Sequence, residues 1–326
     1  MDLTVRPYRP GDEQSISELL TRNTPYLRDN PFWIWINRVL PASPSLVAVL
    51  VDKDNHVQGH TAILPFDIRV DQRIIPCGMS CHTLIDQNYR DSDMIMPLLD
   101  LVDKLASDAG LEFQFGFPNK NARPMYKLPD RYKVAKFLAL EMGSGDAGDF
   151  GKNSRITFEP IGQIDYDFLY SLNQILDSMD REKVAFARNL DYFCARYFFH
   201  PQRLYTSYKI FYEGTLAGCV VTKHYEKEGK KFFHILDLFL DTRVASYELI
   251  LRAITSAFSA SCDIFSFWKI NEDVKKVLLS MGFQENGFDT FLGIRFLPGN
   301  RISEGEKDLL LDFRNWRLVM GDSDAF

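Results

Sequence analysis

The chain has 326 residues, 46% of them hydrophobic and 25% charged, with a formal net charge of −6. The length suits two domains of about 150 residues each, and the acidic balance excludes a general electrostatic pull toward nucleic acid. Five scattered cysteines, of which only Cys77 and Cys81 lie close, read as free thiols in a reducing cytosol rather than a disulfide framework or zinc site.

The first residues carry Asp2, Asp12 and Glu13 and no apolar run, so no signal peptide is expected. No stretch reaches 18 uninterrupted apolar residues, so no membrane span is expected either. A soluble, cytoplasmic protein follows as the expectation.

Residues 3–8 alternate as a short strand, and Pro10-Gly11-Asp12 turns into a helix over 13–20. Phe32-Trp33-Ile34-Trp35 lies in a second helix. Strands are predicted at 46–51 and 57–64 around a polar turn at 52–55, then at 66–70 and 79–85. Residues 97–109 form a strongly apolar-striped helix stopped by Gly110. A strand at 111–117, a short helix at 122–128 and an extended run at 134–140 close the first half.

Gly143-Ser144-Gly145-Asp146-Ala147-Gly148 reads as a linker, because small polar residues bury too little to order themselves. Beyond it come a helix at 166–180, a segment at 190–197, and strands at 207–212 and 215–224 around Glu213-Gly214. A charged turn at 226–231 leads to a strand at 232–240. A helix at 247–260, a strand at 263–268 and a helix at 272–281 follow. Each half therefore reads as a strand meander, a helix, a strand, another helix and a final extended segment. This is the mark of an internal repeat.

Asn119, Ala122 and Tyr126 stand as Asn-x-x-Ala-x-x-x-Tyr just after the strand at 111–117. Asn271, Val274 and Leu278 repeat the frame after 263–268, with Gly282-Phe283 beyond. On these residues the sequence resembles the GNAT superfamily of N-acetyltransferases, over nearly the whole chain. It is similar to tandem GNAT-like proteins encoded with bacterial surface-polysaccharide genes, whose tails resemble Trp316-Arg317-Leu318-Val319-Met320-Gly321-Asp322-Ser323-Asp324. The resemblance implies an α+β fold with a mixed α/β sheet in each of two tandem GNAT-like acyl-CoA N-acyltransferase domains. These would be 1–142 and 155–326, joined by a linker at 143–154.

It further implies that the fourth strand parts from the fifth, leaving backbone groups at Leu84 and Ile85 for the pantetheine of acetyl-CoA or another acyl-CoA. The turn after it, with Arg90, Ser92 and Met94, would present backbone N–H groups to the pyrophosphate. The family's turn reads Arg/Gln-x-x-Gly-x-Gly/Ala, whereas Asp93 and Ile95 stand here at the glycine positions, and Asp91 adds a second carboxylate. Asn119 would contact cofactor or cap the following helix.

Tyr126 is the implied general acid, and Leu278 at the second copy's equivalent position cannot donate a proton. His82 is the candidate base, with His60 and Asp86 nearby, and Trp33 and Trp35 are candidate walls of an acceptor pocket. No metal is expected. The function implied is acyl-CoA-dependent N-acylation of a small amine such as an amino sugar. The alternatives are a non-catalytic GNAT-like binding or scaffold protein, and an aminoacyl-tRNA-dependent transferase.

Overall fold

The computed structural model describes residues 3–24, 28–90, 92–122, 126, 131–146, 155–163, 165–179, 183–202, 204–268, 270–285 and 289–323. The strands are β1 (Thr4–Pro7), β2 (Leu46–Val51), β3 (Val57–Val70), β4 (Arg73–Ile85), β5 (Phe113–Gly116), β6 (Lys133–Leu138) and β7 (Leu140–Gly143). They continue as β8 (Ile156–Pro160), β9 (Val184–Phe186), β10 (Thr206–Tyr212), β11 (Thr215–Lys227), β12 (Lys230–Leu240), β13 (Ile264–Phe267) and β14 (Asp289–Phe296).

The polypeptide divides into two compact units, and neither is one continuous segment. The first comprises residues 1–135, 199–202 and 291–311, and the second comprises 136–198, 203–290 and 312–326. The consecutive split expected at 143–154 differs from this division because terminal strands are exchanged. In the first sheet the order runs β1-β2-β3-β4-β5-β14-β6, so β14, from late in the chain, lies against β5. In the second it runs β7-β13-β12-β11-β10-β8, so β7, which precedes the linker, completes that sheet. Gly143, expected in the linker, ends β7 opposite Ile264. Residues 147–154 lie outside the described residues.

Two expected strands, 57–64 and 66–70, are one strand, and β4 begins six residues before the expected 79. Pro65 and Pro76 lie inside these strands. Each sits where its missing N–H costs no ladder bond. The Pro65 carbonyl accepts from Ala42 beyond the end of β2, and the Pro76 carbonyl accepts from Glu112 just before β5 begins. The charged turn expected at 226–231 narrows to Glu228-Gly229, both at positive φ, with strand on either side.

The halves repeat one another in detail. In each, a side-chain-capped short helix (α2, Asn30–Ile34, and Leu190–Phe193) runs directly into a π-helical turn, Trp35–Val39 or Cys194–Phe198. In each, the long central hairpin has a bulge at the matching place, opposite Thr61 in the first and at Leu236 in the second. The helices α1 (Glu13–Asn23) and α3 (Ile95–Asp108) belong to the first unit, and α3 corresponds to Tyr247–Phe258 in the second. Leu98, Val102 and Ala106 of α3 pack on Ala48, Leu50, Ile63 and Ile85. Ile250, Leu251 and Ile254 pack on Val220, Phe233 and Ile235. Among the described residues no helix is long and apolar enough to cross a membrane. The five cysteines are free thiols.

Candidate active site

The first unit's sheet parts where the sequence led us to expect. β4 pairs with β5 in parallel only at Cys77–Met79, opposite Phe113–Phe115, while its later residues Cys81–Ile85 stay bound to β3 alone. Ser80, His82, Thr83 and Leu84 are partly exposed along this stretch. The bulge lies within it. His82 takes a left-handed backbone, φ 51, which costs a non-glycine residue about 1–3 kcal/mol and persists only where the surroundings impose it.

Tyr126 sits at the point of parting. It is helical and 5% exposed. A Cβ on Gly116 would meet the Tyr126 hydroxyl well inside contact distance, and would lie 3.1 Å from the Ser80 carbonyl. Gly116 and its cross-strand partner Gly293 on β14 together form a bare slot in which the ring lies. At Gly293 a Cβ would be 2.5 Å from Tyr126 Cδ1. Tyr132 covers the ring from above, with centroids 4.1 Å apart, and its own hydroxyl donates to Gln114 Oε1 at 3.0 Å. Burial pushes the Tyr132 phenol up to about 12, so it stays protonated.

Residues alternate across a strand, so this slot shares the α3 face with Gln114, whose amide donates to Asp103 of α3 at 2.8 Å. The histidines take the opposite face. There His82 packs against Phe32 (5.8 Å), and His200, a first-unit residue, packs edge-on to Trp35 (4.3 Å). Arg28 lies over Phe32 at 4.2 Å.

His60 Nδ1 donates to the His82 carbonyl at 3.0 Å, which leaves Nε2 as the lone-pair nitrogen. Neither that Nε2 nor either ring nitrogen of His82 finds a hydrogen-bond partner among the described residues, and all three are shut from solvent. Burial, and after it the nearby Arg28 and His60, hold His82 well below its ordinary range. Burial lowers His60 to about 4. Both imidazoles are neutral at pH 7.

The cradle follows directly. Arg90 donates from Nε to the Ile85 carbonyl at 3.3 Å. Asp93, at the family's glycine position, holds φ 52, the left-handed conformation that glycine adopts without cost. Asp93 thus takes a backbone conformation natural to glycine while adding a carboxylate. Asp91 lies outside the described residues. Met94 is the N-cap of α3 and offers no side-chain hydrogen bond, so the first N–H groups of this 14-residue helix have no cap from that side chain. In the second unit the equivalent helix is capped by Ser246, whose hydroxyl accepts from Leu249 at 3.2 Å.

Leu84, Ile85, Arg90, Ser92 and Met94 therefore form one continuous run from the parted strand to the helix N-terminus, with Tyr126 at its head and His82 behind. Asn119 is exposed and caps its own turn, accepting from Asn121 and Ala122. Trp33 packs on Tyr8 at 5.2 Å, away from the histidines, whereas Trp35 lies among them. Asp86 is committed to structure, accepting from Asn88 N–H and from Arg22 Nε. Most of the predicted helix at 122–128 lies outside the described residues.

Sequence reasoning missed Arg28, Gly116, Tyr132 and Gly293. A glycine within the strand pattern at 289–296 signals close approach by another group, and that signal was available. In the second unit Leu278 is fully buried in the core, and a groove of about 330 Å³ lined by Glu141, Asp146, Lys230 and Asp263 lies near the opposite end of β12 from its parted stretch.

No protein-family model matches the sequence, and no curated protein matches it. Solved structures do match in fold. A probable N-acyltransferase from Enterococcus faecalis superposes with a TM-score of 0.66 at 12% identity, covering 91% of this chain and 73% of its own. A GCN5-related N-acetyltransferase from Anabaena variabilis gives the same four values. The N-myristoyltransferase of Saccharomyces cerevisiae, solved with myristoyl-CoA, gives 0.63 at 9% identity over 90% and 82%. In architecture this chain has the GCN5-related N-acetyltransferase fold, in a two-unit form.

Proposed function

We propose that the first unit transfers an acyl group from acyl-CoA to a small primary amine, with an amino sugar as the favoured acceptor class. The observation that carries this reading is the placing of the Tyr126 hydroxyl where β4 and β5 part, beside a stretch of β4 left partly exposed. The shared fold with solved acyltransferases supports it, as does the left-handed backbone at Asp93.

Leu84 and Ile85 backbone groups, the loop from Arg90 to Met94 and the α3 N-terminus would hold the pantetheine and pyrophosphate. When bound, the thioester supplies an acyl carbon already activated for attack. Tyr126 keeps a phenolic proton at the head of the cleft, where a departing thiolate takes it. Neutral His82 would take the proton that an attacking amine sheds once acceptor entry uncovers its ring nitrogens, which are shut from solvent in the free chain. Phe32, Trp35 and His200 pack together behind His82 and are at most 4% exposed, so an acceptor sugar ring would reach their faces only where that packing opens.

Titration calorimetry with acetyl-CoA tests the reading. Saturable binding is expected, and Tyr126→Phe should retain it while thiol release with an amine acceptor falls by about 10²–10⁴. Absence of binding for acetyl-CoA and for longer acyl-CoAs overturns the proposal.

One feature favours a second reading. The Asp93 carboxylate is exposed beside the cradle and opposes a phosphate, as in a protein that kept the fold for binding alone. That reading predicts full biological function for Tyr126→Phe.

A further inference from the structure

The second unit's sheet parts as the first does. β12 pairs with β13 only at Phe232–Ile235, and the strand runs on for five residues past Ile235. Here, however, Leu236, Leu238, Phe239 and Leu240 are at most 1% exposed, in contrast to the partly exposed Ser80, His82, Thr83 and Leu84 of β4. The C-terminal segment lies against this stretch, with Gly321 near the Leu236 carbonyl. Trp316, Arg317, Leu318, Val319, Met320, Asp322 and Ser323 are each no more than 3% exposed.

This segment bonds to both sides of the opening. On one side the Leu318 N–H donates to the Ile270 carbonyl, just beyond β13, at 2.8 Å. On the other the Arg317 guanidinium donates to the Leu238 carbonyl of β12 at 3.0 Å. These are the backbone groups that a parted strand leaves for a ligand.

The second unit holds the end of the segment with a dedicated set of side chains. Arg196, from the π-helical turn, donates to the carbonyls of Gly321 (3.0 Å) and Ser323 (2.7 Å), and Tyr192 donates to Gly321 at 3.1 Å. Arg188 bridges Asp237 of β12, at 3.2 Å, and Asp322 of the segment. Tyr197 donates to Asp237 at 3.0 Å, and a Cβ on Gly321 would collide with that same hydroxyl. Two buried carboxylates, Asp237 and Asp322, thus face two buried guanidiniums, Arg188 and Arg317, while carbonyls of the segment take up a third, that of Arg196.

We infer that the second unit is a peptide-binding cleft whose resident ligand is this chain's own C-terminal segment, and that it takes no acyl-CoA. The chain then has one acyl-CoA site, in the first unit. The occupancy by the tail stands independently; the single-site statement rests on the transferase reading above.

Hydrogen–deuterium exchange on the full-length protein, with and without acetyl-CoA, tests both. In the native chain, amides at 317–323 should exchange as slowly as those of β12. Arg196→Gln should speed them about a hundredfold, and Gly321→Ala at least as much, with β4 and α3 unchanged as the control for folding. Acetyl-CoA should slow exchange at 80–95 only and bind one per chain.

Rapid exchange of the native tail, or acetyl-CoA protection of β12, or two molecules bound per chain overturns the inference. A slow tail with no acetyl-CoA effect anywhere supports the occupied cleft and counts against the transferase reading instead.

Discussion

Gly293→Ala probes how the fold seats its candidate acid. The added methyl would lie 2.5 and 2.8 Å from Tyr126 Cδ1 and Cε1, and 3.3 Å from Tyr132 Cδ1. Carbon atoms rest at about 3.5–4.0 Å, so the ring must retreat by roughly 1 Å. Such overpacking costs about 1–3 kcal/mol, partly offset by about 0.4–1 kcal/mol from the less flexible unfolded chain. A net loss of about 1–2 kcal/mol should lower the urea midpoint of the first unit by roughly 0.5–1 M. Thiol release should fall about a hundredfold, because a 1 Å displacement of a reacting group has that effect. In a Tyr126→Ala background the methyl has room, and the same substitution should be neutral or stabilising. Equal destabilisation in both backgrounds would refute the slot.

Acid should weaken the first unit through His60. Its folded pKa of about 4 lies below the unfolded value of 6.5, so the unfolded chain binds the extra proton between those limits. His60 alone should account for about 3 kcal/mol of the stability lost as pH drops from 7 to 4, with His82 adding to it, and a His60→Gln variant measured by denaturant titration should lose its own share of that slope and keep the part due to His82. Asp93→Gly keeps the left-handed turn and removes a charge that costs about 1–3 kcal/mol at 5 Å from a phosphate, so calorimetry should show acetyl-CoA binding about tenfold tighter or more. Asp103 accepts from Arg131 at 2.7 Å, from Arg295 and from Gln114. Asp103→Asn should cost about 3 kcal/mol in chemical denaturation by stranding buried guanidinium charge.

The sequence located the parting of the first sheet because local signals mark it. The apolar run of β2, the apolar stripe of α3 and the Asn-x-x-Ala-x-x-x-Tyr frame all lie within 80 or so residues of one another, and the resemblance carried by that frame implied the parting beside which Tyr126 lies. What stayed hidden depends on distant chain. Nothing near Tyr126 announces that its ring rests on a glycine from β14, or that residues 199–202 bring His200 to Trp35. Nor could the cradle's shape be read from its letters. Aspartate at a glycine position reads as a lost turn, yet Asp93 holds the left-handed conformation, which short polar side chains tolerate better than most. The tail was legible as a motif, but its occupancy of the second opening was not, because the groups receiving it are spread from Arg188 to Ile270.

The exchange of β14 also sets a timetable for synthesis. Gly116 must wait for a partner roughly 180 residues further along, which at about 5–20 residues per second is on the order of ten to thirty seconds of translation. For that interval β5 shows an unpaired edge to the cell, the kind of surface that invites mispairing. A polypeptide stopped before residue 293 would hold every residue proposed above to bind acyl-CoA or to move a proton, and would still lack half the floor on which Tyr126 rests.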